Sequence, residues 1–194
     1  MMPRKPILLT PILALLAVML LGCGTTRQAI QAPAEPTLKV EKEEIALTLR
    51  YIDDAALKED FGTGANPFLT QYYRMSFRRI LVFELTLKNQ SGVPVELEAT
   101  RCDLDYGAKE IEATNRFQLG NYWETLDDDP RIIDKKKKLI ERWMLPNRAT
   151  VGDGSSLFGY LVFKGNLPRQ GEATVRVPVF RQGGSLSFDF RYTF

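Results

Sequence analysis

The stretch that decides the fold is Ile80-Leu-Val-Phe-Glu-Leu-Thr-Leu-Lys-Asn-Gln-Ser-Gly-Val-Pro-Val95. Every second residue from Leu81 to Leu87 is apolar, and from Glu84 onward the residues between them are polar. Asn89-Gln-Ser-Gly92 has the composition of a turn, and the alternation resumes after it. A period of two is typical of antiparallel strands with one buried face, so this stretch predicts a β-hairpin that lines a core.

The same alternation recurs along most of the chain. Further strands are predicted at 45–51, 93–97, 102–106, near 111, at 157–164, 175–179 and 186–194. The segment 157–164 differs from the others because it is apolar on both faces. Several short strands separated by turns predict a mainly β protein, an antiparallel β-sandwich.

Two segments break the strand pattern. Residues 53–61 predict a short helix with Asp53 or Asp54 as its cap and Gly62 at its end. Residues 120–146 predict a helical insertion between sandwich strands, because their apolar residues recur at helical spacing. Pro130 suits the first turn of that helix, and Pro146 would stop it.

Three stretches together resemble a known family. The strand ending in Asn89, its Gly turn, and the later acidic stretch Asp103-Leu-Asp-Tyr-Gly107 are similar to the central hairpin of telokin-like, immunoglobulin-like domains in bacterial lipoproteins and secreted proteins. Gly152-Asp-Gly-Ser-Ser-Leu-Phe-Gly-Tyr-Leu-Val-Phe163 is similar to the glycine-rich turn and strand near their end. The resemblance covers residues 44–194 and implies an immunoglobulin-like sandwich, from which the insertion at 120–146 departs. Many such domains have no assigned activity, so it implies a fold rather than a function.

The amino-terminal segment has the organisation of a secretory signal. Arg4 and Lys5 precede an apolar run, residues 7–21, that is shorter than the ~20 residues needed to span a bilayer. Leu20-Leu-Gly-Cys23 resembles the lipobox of bacterial lipoproteins, in which the cysteine takes a diacylglycerol thioether and becomes the mature first residue. The resemblance implies lipidation of Cys23. The alternative is an ordinary cleaved signal with an incidental cysteine.

Lipidation would place the protein in the cell envelope and make the membrane its first partner. Gly24, rather than Asp, follows the cysteine, which in Gram-negative lipoproteins implies transfer to the outer membrane. Residues 24–42 contain Pro33 and Pro36 and almost no periodic apolar pattern, which predicts a flexible tether. The predicted organisation is a signal peptide at 1–22, the lipidated cysteine and tether at 23–42, and the sandwich at 43–194.

Composition and residue usage exclude several classes of function. When Arg4 and Lys5 leave with the signal, the basic residues equal the 24 acidic residues in number, so no strongly basic surface argues for nucleic acid. The sequence contains no histidine, which excludes the usual Ser-His-Asp and Cys-His nucleophiles and the commonest zinc ligand. If Cys23 is acylated, Cys102 has no disulfide partner, and its alternation with Leu104 predicts a buried, inert thiol. We expect no cofactor and no bound metal.

The helical insertion holds the candidate partner-binding residues. Lys135 to Lys138 form the charge run of the chain, and Trp123 and Trp143 flank it. Tryptophan beside cations is enriched at binding hot spots, so we expect this patch to bind an acidic envelope protein or an anionic lipid surface. The alternative is a solvated helix face with snorkelling lysine stems, in which Trp143 anchors the helix to the sandwich. The candidate residues are Trp123, Lys135, Lys136, Lys137, Lys138 and Trp143.

Two acidic clusters allow other interpretations. Asp127-Asp-Asp129 could contribute to a calcium site, but acidic residues just before Pro130 suit a helix start. Asp103 and Asp105 share one strand face, where a solvated surface is expected. Glycoside hydrolysis requires carboxyl groups on opposite sides of the scissile bond, normally from different strands.

The sequence therefore predicts a function without catalysis. We expect a lipid-anchored envelope protein that is not an enzyme and that serves as a protein–protein interaction or envelope-assembly accessory module. A carboxylate-dependent enzyme acting on cell-wall or glycan material is the alternative. A carrier of a small ligand or metal is a third possibility.

Overall fold

The frame of the protein consists of two antiparallel β-sheets. The computed structural model describes residues 30–70, 79–107, 109–127, 129–167 and 170–194, and the predicted signal peptide and Cys23 lie outside these ranges. The first sheet has the strand order β1 (Thr37–Lys42), β2 (Ile45–Ile52), β3 (Arg79–Asn89) and β8 (Ser156–Gly165). The second sheet contains β4 (Val95–Glu98), β5 (Asp103–Tyr106), β6 (Lys109–Glu112), β7 (Arg148–Val151), β9 (Glu172–Arg181) and β10 (Gly184–Thr193).

β9 organises the second sheet. It pairs with β10 along one side and with β5 and then β4 along the other. The 3₁₀ turn Ala99–Arg101 separates β4 from β5, so the two short strands follow one another beside the longer one. Strands β7 and β6 then extend the sheet from β4 and β5.

The two sheets enclose the main hydrophobic core. Leu81, Phe83, Leu85 and Leu87 of β3 point into it and are fully buried, as their alternation predicts. The aromatic residues of β10 meet them from the other sheet, and the Tyr192 hydroxyl donates a hydrogen bond of 2.7 Å to the Leu49 carbonyl across the core. The predicted fold class, an immunoglobulin-like antiparallel β-sandwich with a helical insertion, is confirmed.

Leu85→Ala is expected to lower the free energy of unfolding by about 2–5 kcal/mol. Leu85 is fully buried in the main core, beside Leu49 of β2 and Gly159 of β8, so its truncation leaves a cavity in that core. Urea unfolding followed by circular dichroism measures the loss. The neighbouring Thr86→Ala, on the outer face of the same strand, is the control and should change stability by less than ~0.5 kcal/mol. Equal losses in the two variants would contradict the assignment of faces.

A layer of helices covers the outer face of the first sheet. The helices are α1 (Asp54–Phe61), α2 (Arg116–Leu126) and α3 (Pro130–Trp143). Beneath them Ile80 and Val82 of β3 and Tyr160 and Val162 of β8 form a second apolar cluster. β8 is apolar on both faces because one face meets the sandwich core and the other meets the helices. Within the described ranges, no helix is long and apolar enough to cross a membrane.

The predicted ends of α1 are confirmed. The Asp53 carboxylate accepts a hydrogen bond of 2.8 Å from the Ala56 amide at the start of the helix. Gly62 follows the last turn with a φ of 68°, a conformation that favours glycine, and its amide bonds the Lys58 carbonyl.

The insertion contains two helices and begins earlier than residue 120. Asn115 and Gln118 form a reciprocal capping box, which starts α2 at Arg116. Asp129 caps α3, and Pro130 occupies its first turn, which confirms the helix-start interpretation of that carboxylate. α3 ends at Trp143, before Pro146. The chain leaves the helix there because the Leu145 amide donates a hydrogen bond to the Tyr160 carbonyl on the free edge of β8.

The boundary predicted between tether and sandwich at residues 42 and 43 is too late. Residues Thr37–Lys42 form β1, which pairs with β2 along its whole length. Before it, the Pro36 carbonyl accepts a hydrogen bond from the Tyr51 amide, Pro33 is buried, and Ile30 packs against the main core. The weak apolar pattern reflects the largely exposed face of an edge strand, so the folded part already includes residue 30.

Candidate binding surface of the helical layer

A buried tryptophan and a buried lysine join α2 to α3. The Trp123 ring is fully buried, and its Nε1 donates a hydrogen bond of 3.0 Å to the Pro67 carbonyl. The Lys136 Nζ lies 3.4 Å from the centroid of that ring. The same ammonium donates a hydrogen bond of 2.6 Å to the carboxylate of Asp127, the C-cap residue that follows α2.

The prediction that Trp123 and Lys136 belong to the candidate binding surface is therefore wrong. Both are 0% exposed, so neither can contact a partner. On α3, position 136 shares the inward face with Ile133 and Ile140, and its ammonium is retained there by the ring and the carboxylate. Burial lowers the pKa of Lys136, and the hydrogen bond and charge of Asp127 oppose that shift.

The exposed cations of α3 form a straight row. Lys135 and Lys138 are exposed as predicted, and Arg131 and Arg142 lie on the same face. Spacings of four, three and four residues bring these side chains together along one side of a helix. We call Arg131, Lys135, Lys138 and Arg142 the basic stripe. Its two arginines were absent from the sequence prediction, although the same helical spacing indicates them.

Trp143 belongs to an aromatic cluster beside the basic stripe. Its ring is stacked on that of Tyr160, with centroids 5.6 Å apart, and its edge contacts are with Phe61 at 5.4 Å and Phe158 at 6.5 Å. Phe158 is 51% exposed, whereas Trp143 is half-buried. The predicted alternative, in which Trp143 anchors the helix to the sandwich, is confirmed as one of its roles. Phe61 and Phe158 come from other elements, and nothing in the helix pattern indicates them.

Lys137 lies on the opposite side of α3, at a groove between the two helices of the insertion. This interhelical groove has a volume of about 460 Å³, and its apolar surface consists of Phe117, Gly120 and Ile140. Lys137 forms an ion pair with Glu124 across it. Phe117 is 73% exposed, the most exposed of the large apolar side chains described. The predicted run of four lysines is thus divided between the stripe, the helix interior and the groove.

A second cleft lies where α2 meets the edges of β6 and β8. It has a volume of about 530 Å³, and its lining is mostly polar. The Lys164 ammonium lies 4.6 Å from the centroid of the Tyr122 ring at this cleft. Glu112 supplies the carboxylate of its lining.

The acidic clusters singled out in the sequence serve structural roles in the described residues. Asp103 and Asp105 both accept hydrogen bonds from Arg176, at 3.0 and 3.2 Å, on the outer face of the second sheet. Burial is the main reason that the pKa of Asp103 is raised, and Arg176 opposes it. Across the described ranges, no group of three His, Cys, Asp or Glu side chains could hold a metal ion.

Cys102 is buried, as its alternation predicts. Its side chain lies in the main core, and burial raises the pKa of the thiol to about 12. At neutral pH the reactive thiolate form is therefore suppressed, in agreement with the predicted inert role.

The comparisons with known proteins match this chain only to solved structures of low sequence identity. No family model and no curated protein matches it. Among solved structures, ycdA, a candidate lipoprotein of Bacillus subtilis, matches 78% of this chain and 38% of its own at 12% identity, with a TM-score of 0.43. This chain thus spans less than two thirds of that protein. A FixG-related protein of Vibrio parahaemolyticus (8% identity, TM-score 0.38) covers 78% of this chain and 97% of its own. A functionally unknown protein of Listeria monocytogenes (12% identity, TM-score 0.41) covers 81% of this chain and 80% of its own.

Proposed function

We propose that this protein is a non-enzymatic, lipid-anchored module of the bacterial envelope, held in the outer membrane through Cys23, that binds another envelope protein through the interhelical groove. The observation that carries the proposal is the groove itself, where Phe117 stands exposed beside an apolar floor. Large exposed aromatic side chains next to a concave apolar surface are typical of protein-binding sites.

The charges around the groove favour a protein segment as its occupant. Arg116 and Lys137 on its rim are matched by Glu124 and Glu141. Arg116 donates to the Met144 carbonyl, and Lys137 pairs with Glu124, so these side chains are held in place around the apolar floor. A rim of both signs suits a polypeptide that inserts an apolar side chain between polar groups, as in helix-in-groove recognition.

The non-enzymatic part of the proposal rests on the position of the carboxylates. A carboxylate-dependent enzyme requires acidic groups that converge in a cleft around a substrate. The paired candidates Asp103 and Asp105 instead bind Arg176 on the outer face of a sheet. In the polar cleft beside β6, Glu112 is accompanied by amide, hydroxyl and lysine side chains.

Photo-cross-linking from the groove tests the proposed partner site. A photoreactive side chain in place of Phe117, in the full chain within its own membrane, should give one discrete adduct with an envelope protein. The same group at Ser187, exposed on β10 of the other sheet, is the positional control and should give none.

A second substitution shows whether the adduct depends on the groove. A Cβ added at Gly120 would meet the Lys137 side chain at 3.9 Å, an ordinary contact, so Gly120→Leu fills the groove without a backbone clash. Interface hot spots commonly contribute 2 kcal/mol or more, so we expect about 30-fold weaker binding and a correspondingly lower yield of the adduct. An adduct that persists in Gly120→Leu, or that forms equally from residue 187, would contradict groove binding.

A further inference from the structure

We propose that α3 docks the domain on the anionic headgroup surface of the membrane that carries its lipid anchor, with the basic stripe on lipid phosphates and the adjoining apolar flank in the interface. This inference rests on the proposed anchoring at Cys23. It concerns the outer side of α3 and is independent of the interhelical groove.

The cations of the basic stripe form few interactions with other side chains of the protein. In the described part of the chain, no ion pair involves Lys135, Lys138 or Arg142, although Arg142 lies 5.7 Å from the Trp143 ring centroid. Arg131 pairs with Asp129, yet its side chain is 89% exposed. Four cations in a row are therefore available to negative charge, each worth roughly a fivefold gain in binding near an anionic lipid surface.

An apolar flank runs beside these cations along the same helix. Ile132, Leu139 and Trp143, spaced seven and four residues apart, are half-buried on the side of α3 next to the stripe. The exposed Phe158 ring continues this flank beyond the end of the helix. The acidic residues Asp134 and Glu141 lie on the other side of the stripe, toward the groove. Parallel rows of basic and apolar residues are the pattern of helices that lie in a membrane interface.

The length of chain before the fold keeps the domain close to the membrane. Ile30 packs against the core, so residues 24–29 alone separate it from Cys23. These seven peptide steps span at most about 25 Å. A domain of this size has a radius of gyration of about 15 Å, so the linker keeps the domain within about its own diameter of the bilayer.

The tip of the insertion and the start of β1 lie at the same end of the first sheet. The chain before β1 leaves this sheet past Tyr51, toward the end that holds Arg79 and Gly165. α2 also runs toward that end, because the Thr114 amide bonds Val162 while Tyr122 lies under Lys164. The tip of the α2–α3 hairpin, where the basic stripe begins, therefore lies at the end of the first sheet where β1 begins. An acidic protein would supply the same charge but would not explain this position or the open apolar flank.

Fluorescence quenching in reconstituted vesicles tests the docking. The acylated full chain carries an environment-sensitive label on Leu139→Cys, and a second sample carries it on Ser187→Cys as the positional control. Cys102 is buried with a raised thiol pKa and should not be labelled. In vesicles of phosphatidylethanolamine and phosphatidylglycerol with nitroxide-labelled lipid, we expect strong quenching at residue 139 and little at residue 187. Pure phosphatidylcholine vesicles or high salt should reduce the quenching at 139.

Matched charge variants distinguish an effect of the basic stripe from an effect of the net charge of the domain. At roughly fivefold per cation, removing all four should lower the ratio of docked to undocked domain by about two orders of magnitude or more. The variant is Arg131→Gln, Lys135→Gln, Lys138→Gln and Arg142→Gln. The control removes four exposed cations elsewhere and should retain the quenching; it is Lys39→Gln, Lys58→Gln, Lys88→Gln and Arg191→Gln.

Flotation of the same vesicles distinguishes the anchor from the docking. If the chain floats but residue 139 is unquenched, or is quenched no more than residue 187, docking is wrong and the anchor stands. If quenching requires an added acidic protein, the stripe binds that protein and the lipid proposal is overturned. A chain that does not float with the vesicles overturns the anchor, and the docking with it.

Discussion

Trp123→Ala is expected to lower the free energy of unfolding by about 3–5 kcal/mol, the usual range for a buried aromatic residue in a core. The ring is 0% exposed and fills the space between α2, α3 and the first sheet. Its removal also leaves the Pro67 carbonyl without the indole donor and takes the aromatic face from the buried Lys136 ammonium. The buried Lys136 ammonium then loses a stabilising contact, which adds to the free-energy cost of the cavity.

Urea unfolding of the mature chain in detergent, followed by circular dichroism, measures this loss. Trp143→Ala is the matched control, because Trp143 is half-buried at the edge of the helical layer and should cost less than half as much. Trp123→Phe should recover part of the stability, since it restores an aromatic ring without the indole donor. A loss below ~1 kcal/mol for Trp123→Ala would mean that the packing of α2 and α3 does not depend on this side chain.

Cys23→Ser is expected to abolish attachment of fatty acid completely. Acylation requires the cysteine sulfur, so a serine at this position cannot form the thioether that the lipobox resemblance implies. One acyl chain gives marginal membrane binding and two or more give stable anchoring, so the variant should also lose its stable attachment to the outer membrane. Metabolic labelling with a radioactive fatty acid, together with fractionation of the envelope, measures both effects.

Cys102→Ser is the control for the anchor. Cys102 is buried in the sandwich core, away from any acyl donor, so its replacement should leave the labelling unchanged. If Cys23→Ser retains its label, the segment is an ordinary cleaved signal with an incidental cysteine. If Cys102→Ser loses its label, acylation is at another sulfur than the one proposed.

The strand faces could be predicted from the sequence because they depend on local geometry alone. Side chains alternate across a strand, so a strand with one apolar face has one way to bury it. The alternation from Leu81 to Leu87 in β3 identified the core side of that strand, and the aromatic residues of β10 did the same for the second sheet. The helix ends at Asp53, Gly62 and Asp129 were predictable for a similar reason, since capping involves residues within one turn.

The division of the lysine run could not be predicted in this way. Four consecutive lysines lie on every side of a helix, so composition alone does not distinguish the buried one from the exposed ones. Lys136 is buried because Trp123 and Asp127 of a different helix supply its ring face and its carboxylate. That pairing depends on how α2 and α3 pack together, which spacing within α3 does not specify.

The amino-acid sequence by itself determined the two β-sheets, the presence of a helical insertion and the inert thiol of Cys102, because each follows from periodicity or capping within a short segment. Only the tertiary structure decided which side chains form the candidate surfaces. The aromatic cluster joins Phe61, Trp143 and Phe158, and the groove joins Phe117 to Ile140, so both depend on contacts between separate elements. Such contacts form when separate elements pack together and exclude water, and a local sequence pattern does not specify which elements will meet.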